Sequence, residues 1–194
     1  MMRKILHVGC GAKGTVLPYE FAAYKETRLD ANAACQPDIV ASAVAMPMIE
    51  SESFDCVFAS HMIEHLYAHE VAMALAEFRR VLKPGGQVVL FTPDLQGIGG
   101  YLAMDQAHLP LMQTGWGPVA PLDMIYGHRP NTGLDTHQAH RTGFTKTVLK
   151  NALLQAGFTA VEVKQSNRFE LEGRAFKPEA AEVPAAAEEL AEVA

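Results

Sequence analysis

The chain has 194 residues, enough for one domain with a real core. Hydrophobic residues make up 49% and charged residues 20%, which excludes a wholly disordered chain, a collagen-like repeat and a simple coiled coil. Net charge is −6, but Glu179, Glu182, Glu188, Glu189 and Glu192 follow Lys177 without a basic residue, so the body is nearly neutral and carries no electrostatic footprint for nucleic acid.

No apolar run approaches the ~18 to 20 residues of a membrane helix, and the opening MMRKILHVG passes from two basic residues into a short apolar segment without a signal-type cleavage region. A cytoplasmic protein with no membrane partner is expected. Cys10, Cys35 and Cys56 are odd in number and form no CxxC pair, so reduced thiols are expected rather than a disulfide framework or a zinc knuckle.

Lys4 to Val8 is a short apolar run that meets Gly9, Cys10 and Gly11, the pattern of a buried strand entering a tight turn. Four further strands are expected at Thr27 to Leu29, Ile39 to Ala41, Cys56 to Ala59 and Gln87 to Thr92, each beside turn residues. Their apolarity is continuous, which suits strands covered on both faces. Between the last two, Val71, Leu75, Phe78 and Leu82 recur at helical spacing within Tyr67 to Leu82, and Lys83-Pro84-Gly85-Gly86 ends that helix. Strand, helix and strand at this length make a parallel crossover.

From Leu95 to Thr142 the pattern dissolves into Gly, Pro, Gln and His, with one short helix around Leu122 to Tyr126; a connection this long is expected to be a cap over the site. A helix follows at Lys146 to Ala156, then a strand at Ala160 to Gln165 and its antiparallel neighbour at Arg168 to Lys177. The domain is thus expected over residues 1–177, and residues 178–194 read as a flexible Ala/Glu/Pro tail.

The sharpest constellation is HVGCGAKG followed by RLDAN, which puts Asp30 19 residues past Gly11 at the end of the second strand. Glycines let backbone N–H groups approach a ligand, and a carboxylate at that strand tip can accept both hydroxyls of a ribose, so the pair reads an adenosine-type nucleotide. Gly9, Gly11 and Gly14 also satisfy G-x-G-x-x-G, which keeps an NAD(P)-dependent oxidoreductase open. Against it, Pro18 and the poor helix starters Thr15-Val16 interrupt the helix whose N-terminus would face a pyrophosphate.

HVGCG, RLD, PDIVAS with AMP, FDCVFASHMIEHL and EFRRVLKPGGQVVLFTPD fall in the order and spacing of the class I S-adenosylmethionine-dependent methyltransferases of the type 11 group, which the chain resembles over Lys4 to Asp94 and more loosely to Lys177. The resemblance implies an α/β, Rossmann-like seven-strand sheet, six strands parallel and one antiparallel, helices on both faces, a reduced first helix, and S-adenosylmethionine as cofactor. It further implies that Gly9, Cys10 and Gly11 line the methionine moiety and that Asp30 holds the ribose. Ser42 and Ala43 would flank adenine, with Ser42 where an acidic residue is common, and Ser60 and His61 would lie beside cofactor and acceptor. With the first helix reduced, the cofactor carboxylate would depend on loop N–H groups and Lys13.

The implied reaction is in-line methyl transfer to a small-molecule or biosynthetic-intermediate acceptor. For a hydroxyl or ammonium acceptor a base is needed, and His61 and His140 are the candidates. The cap also offers His128, Asp135 and His137, with Tyr126 and Trp116 as apolar walls. His61, His65 and His69 repeat at a spacing that can bring three imidazoles onto one helical face, and H-x-x-E-H is a zinc-binding pattern elsewhere. Such a run is ordinary in the methyltransferase family where a strand feeds a helix, so no metal is assigned. A fold that binds cofactor without turnover is the competing reading.

Overall fold

The computed structural model describes residues 2–115, 117–129 and 136–179. The expectations for Trp116, for Asp135 and for the tail beyond Glu179 fall outside them. The apolar runs form the centre of one sheet, built from β1 (Lys4–Val8), β2 (Lys25–Asp30), β3 (Ile39–Val40), β4 (Phe54–Ser60) and β5 (Leu82–Pro93). Next in the chain come the short strands β6 (Met112–Thr114) and β7 (Gly117–Val119), and later β8 (Thr159–Asn167) and β9 (Glu170–Phe176). The seven-stranded order is β3-β2-β1-β4-β5-β9-β8, while β6 and β7 pair as a separate hairpin. The first five strands run parallel; β9 is antiparallel to β5 and to β8, so it is the one reversed strand.

Alternate residues of the central strands feed two cores, as the two-residue period of a strand requires. Leu6, Val8, Val57, Ala59, Val88 and Leu90 join the larger cluster. It is closed by Val71, Leu75 and Phe78 of α1 (Ala68–Val81) and by Leu149 and Leu153 of the helix at Lys146–Gln155. Ile5, Cys56, Phe58 and Val89 join a smaller cluster on the other face. Between β1 and β2 the helical structure is a single 3-10 turn, Tyr19–Phe21, which begins after Pro18 and buries Phe21 against Phe58 with ring centroids 5.6 Å apart.

Glu70 accepts a hydrogen bond from the Tyr67 N–H at the start of α1, and Arg79 and Arg80 occupy its last turn. Arg80 donates to the carbonyls of Ile49 and Met46 and pairs with Glu77, which ties the loop after β3 to the helix. Strand β5 starts at Leu82, earlier than its sequence signals, because Leu82 pairs with Phe54 before the chain turns at Gly85 with φ +71°.

The described part of residues 95–142 holds more regular structure than its composition predicts. An α-helix, α2 (Leu95–Ala103), starts at Asp94, whose side chain accepts from the Gln96 N–H. Gly97, Gly99 and Gly100 mask it in the sequence, since glycine disfavours helix interiors. At Gly97 the residue type is required by packing: a Cβ would lie 2.4 Å from the Arg168 carbonyl oxygen. The β6–β7 hairpin and α3 (Pro121–Tyr126) follow, the latter with Pro121 in its first turn. The helix at Lys146–Gln155, α4, is capped by the Thr145 hydroxyl.

Candidate functional site

The chain runs outward from β1 to β2 and, in the other direction, from β4 to β5, so the strand order reverses at the carboxyl ends of β1 and β4, the place where sheets of this kind bind ligands. Gly9 and Gly11 turn there with left-handed φ of +65° and +62°. A Cβ on Gly9 would lie 2.4 Å from Met62 Cγ, so the packing of Met62 requires this glycine. At Gly11 the nearest atom to such a Cβ is Thr15 Oγ1 at 3.6 Å, an ordinary van der Waals contact, so it is the left-handed φ rather than crowding that favours glycine there. Cys10 is buried; its N–H donates to the Leu29 carbonyl, and burial pushes its thiol up to about 11, so it stays protonated.

Asp30 Oδ2 accepts from the Gly11 N–H at 2.9 Å and Oδ1 from the Asn32 N–H at 2.8 Å. Each oxygen keeps a further lone-pair direction for a ligand hydroxyl. The side chain expected to hold a ribose is therefore also what fixes the turn.

Arg28, two residues earlier on the same face of β2, escaped the sequence reading. Its Nη2 donates to the carbonyls of Cys10, Gly11 and Ala12, and its Nη1 to that of Thr15. The guanidinium thereby satisfies loop carbonyls that a helix would have bonded internally. The available signal was the row Glu26, Arg28, Asp30, three charges at a period of two beside a buried strand. Glu26 in turn bonds the buried His7 at 2.8 Å. Burial lowers the His7 pKa, and the bond to Glu26 only partly offsets it.

Of the other residues expected around a cofactor, Lys13 and Ser42 are exposed, with Ser42 Oγ accepting from the Val44 N–H at 3.4 Å. The Ala43 side chain is packed into the main core. Ser60 ends β4 opposite Phe91.

His61 follows Ser60 in a left-handed conformation, φ +50°, its N–H bonded to the Phe91 carbonyl. A non-glycine residue there stores about 1 kcal/mol or more of backbone strain. Its ring lies between two carboxylates, Nδ1 3.3 Å from Glu64 and Nε2 2.8 Å from Glu170. Burial alone would lower the imidazolium pKa, but the bonds to Glu170 and Glu64 and their charges outweigh it and push it up to about 10. Half of the side chain remains exposed. Glu170 is 109 positions away in sequence and gave no motif.

Glu64 sits in a 3-10 turn, Ile63–His65, with its side chain only 1% exposed, and Thr92 Oγ1 donates to it at 3.2 Å. Its backbone carbonyl accepts from the N–H groups of Arg141 and Thr142, which draws the end of the 95–142 segment onto this turn. His140 comes with it, its ring centroid 4.8 Å from that of His65. Burial lowers the His140 pKa and keeps the ring neutral. Of the remaining cap candidates among the described residues, the Tyr126 and His137 side chains are exposed and the His128 ring nitrogens are buried. The spacing of His61, His65 and His69 also fails to produce one helical face, because α1 starts only at Ala68 and His69 stacks on Tyr67.

Residues 6–90 match a family model described as a methyltransferase domain. No curated protein matches the sequence. Among solved structures, a SAM-dependent methyltransferase from Methanosarcina mazei superposes with TM-score 0.62 at 17% identity, over 92% of this chain and 94% of that one. The Burkholderia thailandensis 1,6-didemethyltoxoflavin-N1-methyltransferase, solved with 1,6-didemethyltoxoflavin and S-adenosylhomocysteine, gives 0.58 at 15%, over 91% and 72%. The CurJ carbon methyltransferase gives 0.57 at 15%, over 91% of this chain and 49% of that one, so the present chain spans about half its length. At such identities the likeness is one of fold.

Proposed function

We propose that this chain is a class I S-adenosylmethionine-dependent methyltransferase and that it methylates a small-molecule acceptor held between the glycine turn and residues 95–142. The observation that carries this reading is the bond from the Gly11 N–H to Asp30, which joins the glycine turn to a carboxylate with lone pairs to spare at the reversal of strand order. Those features suit the cofactor: Gly9, Cys10 and Gly11 would support its methionine part with Lys13 at hand, Asp30 its ribose, and Ser42 and Ala43 its adenine. When bound, the cofactor supplies a sulfonium methyl that an acceptor nucleophile takes by in-line displacement.

The acceptor side is formed by Ser60, His61 and His140. His61, held as a cation by Glu64 and Glu170, suits orientation of an oxygen-bearing acceptor. His140 donates Nδ1–H to the Met124 carbonyl at 2.9 Å, which leaves its other nitrogen with a lone pair, so it is the better placed of the two for taking a proton. The end of the 95–142 segment, fastened to the Glu64 carbonyl, would cover the acceptor and exclude water.

Calorimetric titration with S-adenosylmethionine and S-adenosylhomocysteine tests the reading. Saturable binding of both is expected, weakened about ten- to a hundredfold in Asp30→Ala, the worth of a charge-assisted hydrogen bond to the ribose. Binding of neither would remove it. A second reading, binding without turnover, draws on Met62 lying against Gly9; it predicts cofactor binding that no acceptor converts to product.

A further inference from the structure

We propose that Glu64, His65 and His140 form a binding site for a divalent first-row cation at the acceptor end of the proposed site. One carboxylate oxygen of Glu64 and one ring nitrogen from each histidine lie within 4.8 Å of one another. Donors around a single tetrahedral ion with bonds near 2.1 Å sit roughly 3.4 Å apart, so closure needs side-chain adjustment and no backbone rearrangement.

Two further observations separate this set from a chance cluster. Both rings are oriented by backbone carbonyls: His65 Nδ1 by Ala139 at 3.2 Å and His140 Nδ1 by Met124 at 2.9 Å. A carbonyl can only accept, so each Nδ1 carries the proton and each Nε2 presents a lone pair. That is the outer-shell arrangement that fixes a metal-binding imidazole in its tautomer. The Glu64 carboxylate, in turn, is buried, and its side-chain partners among the described residues are both long, His61 at 3.3 Å and Thr92 at 3.2 Å. A buried charge of this kind ordinarily has closer compensation. A cation would supply it.

Two nitrogens and one carboxylate select Mn2+, Fe2+, Co2+ or Zn2+ over Ca2+, and three protein ligands leave at least one position open, as in sites that also take a substrate oxygen. The inference rests on the proposed placing of the acceptor beside His61 and His140 and extends it to an oxygen acceptor bound directly to the cation. In the loaded protein the His140 lone pair would be committed to the ion, and the ion would lower the pKa of a bound acceptor hydroxyl so that its proton can leave to solvent water. His65, whose role the proposed function left open, becomes a ligand.

Co2+ is the probe, because its visible absorption reports a nitrogen and oxygen donor set. Titrated into chelator-treated full-length protein, it is expected to bind one equivalent, with Zn2+ competing for the same site. His65→Ala, His140→Ala and Glu64→Gln should each weaken binding by at least about tenfold, whereas His69→Ala on the exposed face of α1 should leave it unchanged. S-adenosylhomocysteine titration of the same variants shows whether each is folded and tests the cofactor reading separately. Should Glu64→Gln misfold, the Co2+ absorption of His65→Ala and His140→Ala decides. Absence of stoichiometric Co2+ binding in the parent protein, or binding that survives in both histidine variants, overturns the cation site and leaves the methyltransferase reading intact. Co2+ binding without S-adenosylhomocysteine binding does the reverse.

Discussion

Asp30 shows how one side chain can be structural and functional together. Its two oxygens already accept backbone N–H groups from Gly11 and Asn32, so Asp30→Ala loosens the turn as well as removing a ligand contact. Asp30→Asn keeps one acceptor oxygen and should lose less cofactor affinity than Asp30→Ala, a ranking that calorimetry can read directly. Gly9→Ala is a stricter case. The new methyl meets Met62 Cγ at 2.4 Å on a backbone with φ +65°, and a loss of about 1–3 kcal/mol in thermal or denaturant unfolding is expected. Arg28→Ala uncovers the carbonyls of Cys10, Gly11, Ala12 and Thr15 and should lower stability and cofactor affinity together. Asp30 and the glycines were legible in sequence because their spacing is local to one strand, turn and strand. Arg28 looked like an ordinary strand charge, and Glu170 reaches His61 only because β9 inserts beside β5, which no local pattern records.

At the level of elements, α1 does most to close the larger core, with Leu75 and Phe78 fully buried in it. Phe78→Ala should cost about 3–5 kcal/mol, measurable in urea. The central strands and α1 could be read from apolar runs and helical spacing because burial on both sheet faces leaves that record. Helix α2 could not, since Gly97, Gly99 and Gly100 contradict its propensity, and the close approach of the Arg168 carbonyl supplies the reason for Gly97. Gly97→Ala is accordingly expected to destabilise α2 and its contact with the β8–β9 turn, although alanine favours helix; a rise in thermal stability would contradict this packing.

Across the whole molecule, the sheet divides its protection unevenly, with α1 and α4 on one face and the turn around Phe21 over the smaller cluster on the other. His7 lies beneath that turn region on β1, facing Phe58 of β4 and Glu26, Arg28 and Asp30 of β2. Its folded pKa is lowered from 6.5, so the unfolded chain binds the proton more readily; the stability it contributes is present above 6.5 and is lost as pH falls below it. His140 acts in the same direction. His61 acts oppositely: its raised pKa contributes stability below 6.5 that fades as pH climbs toward about 10. His61 thus opposes His7 and His140 between about pH 7.5 and about pH 5.5, and the readout is a difference: as pH drops below 6.5, the melting temperature of His7→Gln should fall less, or rise more, than that of the parent.

The most direct measurement is a crystal structure of the protein with S-adenosylhomocysteine. The ligand is predicted to lie over Gly9 to Gly11, its ribose hydroxyls bonded to the Asp30 carboxylate while the Asp30 bond to the Gly11 N–H persists. A glycine turn still covered by Met62, with the ligand absent or bound away from Asp30, would contradict the account.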